Sequence, residues 1–278
     1  MVPIQPQGQR TPLFCVHPGG GNVLGYQEFI AHLDPDQPVY GIQAHGVVEG
    51  QTPHDNIHQM ALLYIQEMRN VQPTGPYYLG GESFGGLVAY EMACQLVQGG
   101  ERVAFLFVGD AWPKTIEPWR YFASSLTYPF TLTLADWVAQ IKRKVLRQRA
   151  ASIPVVKRYV YADSLHRANS LAHRRASRDY VPRRYPGTVT LFRARVQDQH
   201  TRRIQYYFGG PEMGWTTTAT TVEVHWMPDV HREMMHGANA PGFAQTLQSC
   251  LDRARAIAEP NLPPVERRLT PALDIVAR

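Results

Sequence analysis

The stretch Tyr77-Tyr78-Leu79-Gly80-Gly81-Glu82-Ser83-Phe84-Gly85-Gly86 decides how the chain is read. An apolar strand runs into Gly-x-Ser-x-Gly and then into a helix-like segment, Leu87 to Val97. A serine on a sharp strand-to-helix turn is held on a strained backbone with its hydroxyl pushed clear of the sheet. Gly81 and Gly85 flank it because side chains there would collide with the strand and helix on either side. Gly-x-Ser-x-Gly alone is common. Following a strand, preceding a helix and with acid and histidine candidates downstream, it marks Ser83 as a nucleophile.

On both sides of this stretch strand and helix alternate. Pro12 to His17 reads as a buried strand that ends in Pro18-Gly19-Gly20-Gly21, with a helix-like Tyr26 to Leu33 after it. Pro38 to Ile42 is a short strand, and Ile57, Met60, Ala61, Tyr64, Ile65 and Met68 have helical spacing within His54 to Val71. Val103 to Val108 is an apolar strand ending in Gly109-Asp110. This alternation predicts an α/β fold with a mostly parallel central sheet and helices on both faces. From Trp112 to about Pro186 the pattern breaks. Two helical stretches are expected there, one carrying Leu134, Trp137, Val138, Ile141 and Val145, the other covering roughly Val155 to Tyr180. Strands Gly187 to Arg193 and Thr221 to Met227 and a closing helix Phe243 to Ala258 complete the pattern. The domain reading is therefore a core of residues 1–111 and 186–258, a helical insertion 112–185 and a C-terminal extension 259–278.

A length of 278 residues allows one large domain with a full hydrophobic core. No apolar run approaches a membrane span, and nothing in the pattern points to nucleic acid. Met1 to Arg10, polar and proline-bearing, reads as a linker. Cys15, Cys94 and Cys250 lie far apart without metal or disulfide spacing. Buried free thiols, no bound metal and a reducing cytoplasm are expected. Charge is concentrated: Lys114 to Arg184 holds 15 Lys and Arg against 4 Asp and Glu, a net +11 in a chain of net +5, which leaves −6 elsewhere. Such a segment can steer a negatively charged partner.

A serine hydroxyl needs a base, and the base needs a third group to orient it. In the order Ser, acid, His the histidine lies late, beyond the last strand. His225 is inside Val222-Glu223-Val224-His225-Trp226, His231 lies just past the strand end, and His236 is five residues further on. His231 is the expected base. Two acids end strands at the same sheet edge, Asp110 and Asp198. Asp110 is favoured because Val-Gly-Asp leaves its carboxylate at a strand tip, and Asp198 is kept as the alternative. The oxyanion formed in the reaction needs aimed donors. The Phe84 amide is one; Gly20 or Gly19 supplies the second, because Pro18 has no N–H. His17 is read as structural.

These residues carry a resemblance. The chain resembles the type I thioesterase domains that end nonribosomal peptide synthetases and related polyketide synthases, over about Val2 to Ala258. The resemblance rests on Pro3-Ile4-Gln5-Pro6 and Pro12 to Gly20, on Gly75 to Gly86, on Tyr185-Pro186-Gly187 leading to Thr190-Leu191-Phe192-Arg193-Ala194, on Gly214-Trp215, and on His231 with Met234. It implies an α/β-hydrolase fold with the insertion as a helical lid. It also implies substrates that arrive as thioesters on the 4'-phosphopantetheine arm of an acyl or peptidyl carrier protein, encoded upstream in the same polypeptide. In the family the acid often follows the strand after the nucleophile helix, which fits Asp110; some relatives use the later position, that of Asp198. A carrier domain is typically acidic, so Arg143 and Arg147 in the basic insertion are candidate docking residues. Pro228-Asp229-Val230-His231 departs from the Gly-Asp-His of many relatives. The expected activity is release of an acyl, peptidyl or polyketide chain by hydrolysis or macrocyclisation. The rivals are a stand-alone editing thioesterase or general esterase on the same fold, and an inactive carrier-binding module.

Overall fold

The structure is a computed structural model that describes residues 1–113, 157–196 (backbone only for 157–164), 210–231 and 233–260. Among the described residues seven strands form one sheet: β1 (Val2–Gln5), β2 (Leu13–Val16), β3 (Val39–Ile42), β4 (Tyr77–Glu82), β5 (Val103–Gly109), β6 (Tyr185–Ala194) and β7 (Ala219–Met227). Their order is β1-β3-β2-β4-β5-β6-β7, and only β1 runs antiparallel to its neighbour. The expected α/β architecture is therefore observed.

Side-chain alternation builds two cores, one on each face of the sheet. Phe14, Val16, Tyr77, Leu79, Leu106, Val108, Val189 and Leu191 point to one face. There they meet α2 (Ile57–Arg69) and α3 (Phe84–Gln98). Leu13, Cys15, Tyr78, Phe105, Phe107, Phe192 and Ala194 point to the other. They are covered by the single turn α1 (Gln27–Ile30) and by α5 (Ala240–Ala258). The helices follow local rules. The Asn56 side chain caps α2 by accepting from the Gln59 amide at 3.0 Å. α5 has Pro241 in its first turn, where a missing N–H costs nothing.

The insertion contributes one described helix, α4 (Lys157–Asp179), where a helix was expected. Its buried positions Asn169, His173 and Ala176, continued by Tyr180 just past its end, form a stripe at helical spacing in which three of the four side chains carry a polar group. The amphipathic helix expected around Trp137, and with it Arg143 and Arg147, lies outside the described residues.

Three expectations change. Met1 to Arg10 is not a linker throughout: Val2–Gln5 forms an edge strand on β3. An edge strand needs partners on one side only, so Pro3 and polar residues are tolerated there, while Val2 and Ile4 pack on the core. Tyr26 to Leu33 is not one helix but a 3-10 turn, Leu24–Tyr26, followed by α1; Asp34 precedes Pro35, a position that disfavours helix. The first residue of the extension expected from Glu259 is tied to the domain: the Glu259 carboxylate accepts from Thr11 at 2.9 Å and Tyr78 at 2.6 Å.

Candidate active site

The serine turn is built by close packing. Ser83 caps the start of α3 with φ 54° and ψ −120°, a conformation that non-glycine residues rarely take. Such backbone costs about 1–3 kcal/mol and persists only where neighbours hold it. The neighbours are visible. The Ser83 amide donates to the Gly109 carbonyl at 2.7 Å. A Cβ on Gly81 would lie 2.8 Å from the Val16 carbonyl oxygen, and one on Gly85 would overlap the Val16 and His17 carbonyls. The two glycines thus let β2, β4 and α3 close on one another at the serine.

Asp110 leaves the sheet one strand away. Glu82 pairs with Gly109, so Ser83 and Asp110 emerge side by side at the C-terminal edge of β4 and β5. Asp110 has φ 45°, and its amide extends the β5–β6 ladder by donating to Phe192 at 2.7 Å. Its carboxylate is buried and shared between two donors. Oδ1 accepts from the Ala194 amide at 3.3 Å, and Oδ2 accepts from His231 Nδ1 at 2.8 Å. The imidazole is thereby oriented, with Nε2 on the side of the ring away from Asp110.

The loop that carries His231 is pinned on both flanks. Asp229 takes φ 66°, its side chain accepts from the Val230 amide at 2.8 Å, and its carbonyl accepts from Val196 at 2.9 Å. Met234 and Met235 are fully buried, and their methyls occupy the space a Cβ on Gly109 would take. Gly109 is therefore needed for the histidine loop to sit against the strand that bears Asp110. The other two late histidines are engaged elsewhere. His225 binds Glu223 at 2.8 Å, and His236 lies 3.5 Å from Glu28. Asp198 lies outside the described residues.

The glycine loop lies against Phe84. Gly21 N–H donates to Pro18 at 2.9 Å, which closes a turn with Gly19 and Gly20 at its centre. The Cβ position of Gly19 lies 4.0 Å from Phe84 Cβ. Phe84 opens α3, so its amide is one of the donors a helix start leaves without an intrahelical acceptor. His17 is structural as expected: it is fully buried, bonded to the Tyr64 hydroxyl at 2.8 Å, and burial lowers its pKa to about 3.

Two residues at the site were not legible in the sequence. Tyr26 accepts from the Glu82 amide at 3.0 Å and donates to the Val16 carbonyl at 2.6 Å, tying β2 to β4 beside Ser83. His173 on α4 meets both Gly19 and Phe84. A tyrosine in a turn and a histidine in an arginine-rich helix carry no motif.

The three cysteines are free and buried, as expected, and burial raises their thiol pKa values. Glu223, His225 and Cys250 bring ligand atoms within 4.8 Å of one another. The Arg253 guanidinium already donates to Glu223 at 2.7 Å and to Cys250 Sγ at 3.4 Å, so a cation there would face its charge. Among the described residues no helix is long and apolar enough to cross a membrane.

Residues 11–251 match the family model described as "Thioesterase domain", and the chain belongs to that family. Several of its relatives are named as nonribosomal peptide synthetases. It is 34% identical over 210 residues to malpinin synthetase of Mortierella alpina, covering 73% of this chain and 2% of that protein. It is 41% identical over 118 residues to the dimodular nonribosomal peptide synthase of Bacillus subtilis, covering 42% of this chain and 5% of that one. The chain thus spans a small fraction of these relatives. Among solved structures, it matches a four-domain nonribosomal peptide synthetase, holo-AB3403, with TM-score 0.65 at 28% identity, over 87% of this chain and 20% of that chain. The NocB thioesterase domain in covalent complex with a fluorophosphonate nocardicin G analogue matches with TM-score 0.66 at 23% identity, over 90% and 98%. The fold is that of the α/β-hydrolase thioesterase domains.

Proposed function

We propose that this thioesterase domain releases an acyl or peptidyl chain from the phosphopantetheine arm of a carrier protein through an acyl-enzyme on Ser83. The observation that carries the proposal is the 2.8 Å bond between His231 Nδ1 and the buried Asp110 carboxylate, next to a serine on strained backbone. A histidine held in one tautomer by a buried acid is what a serine needs to lose its proton.

In this scheme Ser83 Oγ attacks the thioester carbonyl while His231 Nε2 takes the hydroxyl proton. Asp110 stabilises the imidazolium that forms. The oxyanion receives hydrogen bonds from the Phe84 amide and a Gly20 or Gly19 amide. Collapse breaks the C–S bond, and His231 returns the proton to the departing pantetheine thiol. The ester on Ser83 is then attacked by water, giving an acid, or by an amine or hydroxyl of the chain itself, giving a ring. α4 and the rest of the insertion act as a lid that governs which nucleophile enters. The basic insertion docks the carrier through Arg143 and Arg147.

The test is thiol release from a carrier-bound acyl thioester, with the corresponding oxygen ester as comparison. Rapid release from the thioester, abolished by Ser83→Ala and much slower on the oxygen ester, is expected. Equal rates on the two esters would indicate a general esterase, and release undiminished in Ser83→Ala would end the proposal. Charge reversal at Arg143 and Arg147 should raise KM for the carrier-bound thioester and leave a small pantetheine thioester unaffected.

A further inference from the structure

Three side chains of α4 sit on the glycine loop. His173 Nδ1 lies 2.8 Å from the Gly19 carbonyl oxygen. Its ring stacks on Phe84 with centroids 4.4 Å apart and planes within 9°, and on His17 at 4.9 Å. One turn back, Asn169 donates to the Gly46 carbonyl at 2.7 Å, and its amide carbon lies 3.2 Å from where a Cβ on Gly21 would stand. A further turn back, the His166 ring fills the space a Cβ on Gly20 would need. The triple glycine is therefore the seat of a helix as well as a turn.

The bond to Gly19 falls on the one peptide of that turn that is free to flip. In a four-residue turn the central peptide can rotate by roughly half a turn between type I and type II geometry while the closing bond survives. Type II needs positive φ at the third position, and here neither Gly19 nor Gly20 has positive φ. With glycine at both central positions no Cβ favours either state. A carbonyl only accepts, so His173 must donate from Nδ1, which fixes its tautomer. Nε2 is then unprotonated; it is buried and has no hydrogen-bond partner among the described residues. Because a trans peptide points its C=O and N–H in opposite directions, holding the Gly19 oxygen also aims the Gly20 N–H.

We propose that His173 is a positioning residue for the oxyanion site: by holding the Gly19 carbonyl and packing flat on Phe84, it sets the Gly20 amide as the second donor. The inference rests on Ser83 being the nucleophile. It makes donor geometry conditional on α4 being seated, so closure of the helix and completion of the site are one event.

The test uses the whole chain with octanoyl-pantetheine as probe, and compares wild type with His173→Phe, His173→Asn, His173→Gln and Ser83→Ala. Phenylalanine keeps the stack and loses the donor. Asparagine places an N–H near the Nδ1 position, and glutamine places it one bond too far. Loss of an oxyanion donor costs about 10²–10³ in kcat, so misaiming one should cost roughly 10- to 100-fold. His173→Phe is expected to lose that in kcat with KM nearly unchanged. It should lose affinity in parallel for octylboronic acid, whose tetrahedral serine adduct sets an oxygen in the same place. His173→Asn should recover most of the rate and His173→Gln should not. Should His173→Phe fail to fold, the Asn and Gln variants decide, because both lack the ring. Wild-type kcat in His173→Phe, or equal losses in Asn and Gln, would overturn the proposal while Ser83→Ala remains inert. Full turnover in Ser83→Ala would instead remove the reading it rests on.

Discussion

At the scale of single residues, the site is a set of side chains whose backbones could not relax independently. Ser83, Asp110 and Asp229 all take positive φ, and each is held by a bond to a neighbouring strand or loop. Asp110→Asn keeps the size of the group but favours the wrong histidine tautomer, so kcat should fall by about 10³–10⁴. Asp198→Asn should stay within a few-fold of wild type in the same steady-state assay. The reverse pattern would move the acid to Asp198. Tyr26→Phe removes the acceptor of the buried Glu82 amide, and an unsatisfied buried donor costs about 1–3 kcal/mol. A urea titration should show that loss. The places of Ser83 on a strand-to-helix turn and of Asp110 at a strand end were legible because glycine punctuation and a strand tip are local signals. Tyr26 was not, because its role is defined by two carbonyl and amide groups distant in sequence.

At the scale of elements, α4 is clamped at both ends of its described buried stripe. In its second half His173 and Asn169 hold the glycine and 45–47 loops. Beyond its end Tyr180 donates to the fully buried Glu91 of α3 at 3.0 Å. Glu91 also meets His58 at 2.7 Å and Gln95 at 2.9 Å. Hydrogen bonds to charged groups contribute about 1.5–3 kcal/mol. Tyr180→Phe should therefore loosen α4, seen as faster amide hydrogen exchange across 165–179 with β4 and β5 unchanged. Uniform exchange would mean that the clamp does not act on the helix. α4 was legible as a helix from its spacing. Its seat was not, because Asn169 and His173 give a buried stripe without a hydrophobic signature. β1 escaped for a related reason, since an edge strand shows half the pattern of a central one.

At the scale of the whole molecule, buried histidines tie the fold to pH. His17 has its pKa lowered to about 3, and His173 is lowered as well, chiefly by burial. In the unfolded chain each would titrate near pH 6.5. Their contribution to stability is fully present above that pH and is lost as pH falls toward the folded values, because the unfolded state then binds the extra protons. Each such proton gives a slope of about 1.4 kcal/mol per pH unit. Stability measured in urea between pH 6.5 and 5, above most carboxylate titrations, should fall with acid, and His17→Gln should reduce that slope by about one proton. A flat profile would mean that the histidines titrate normally in the fold. The parallel sheet and its two faces were legible from alternating apolar strands and helical spacings. The partners of the other late histidines were not, since Glu223 beside His225 and Glu28 beside His236 are set only by the folded chain.

The central claim is that Ser83 becomes acylated. Intact-protein mass spectrometry after mixing the chain with a panel of acyl-pantetheine thioesters tests it most directly. A mass gain equal to the acyl group, mapped to Ser83 and missing in Ser83→Ala, is the predicted result, and the linear or cyclic product released afterwards identifies the second nucleophile. No acylation by any member of the panel, while carrier protein still binds, would contradict it and leave a binding module on a hydrolase fold.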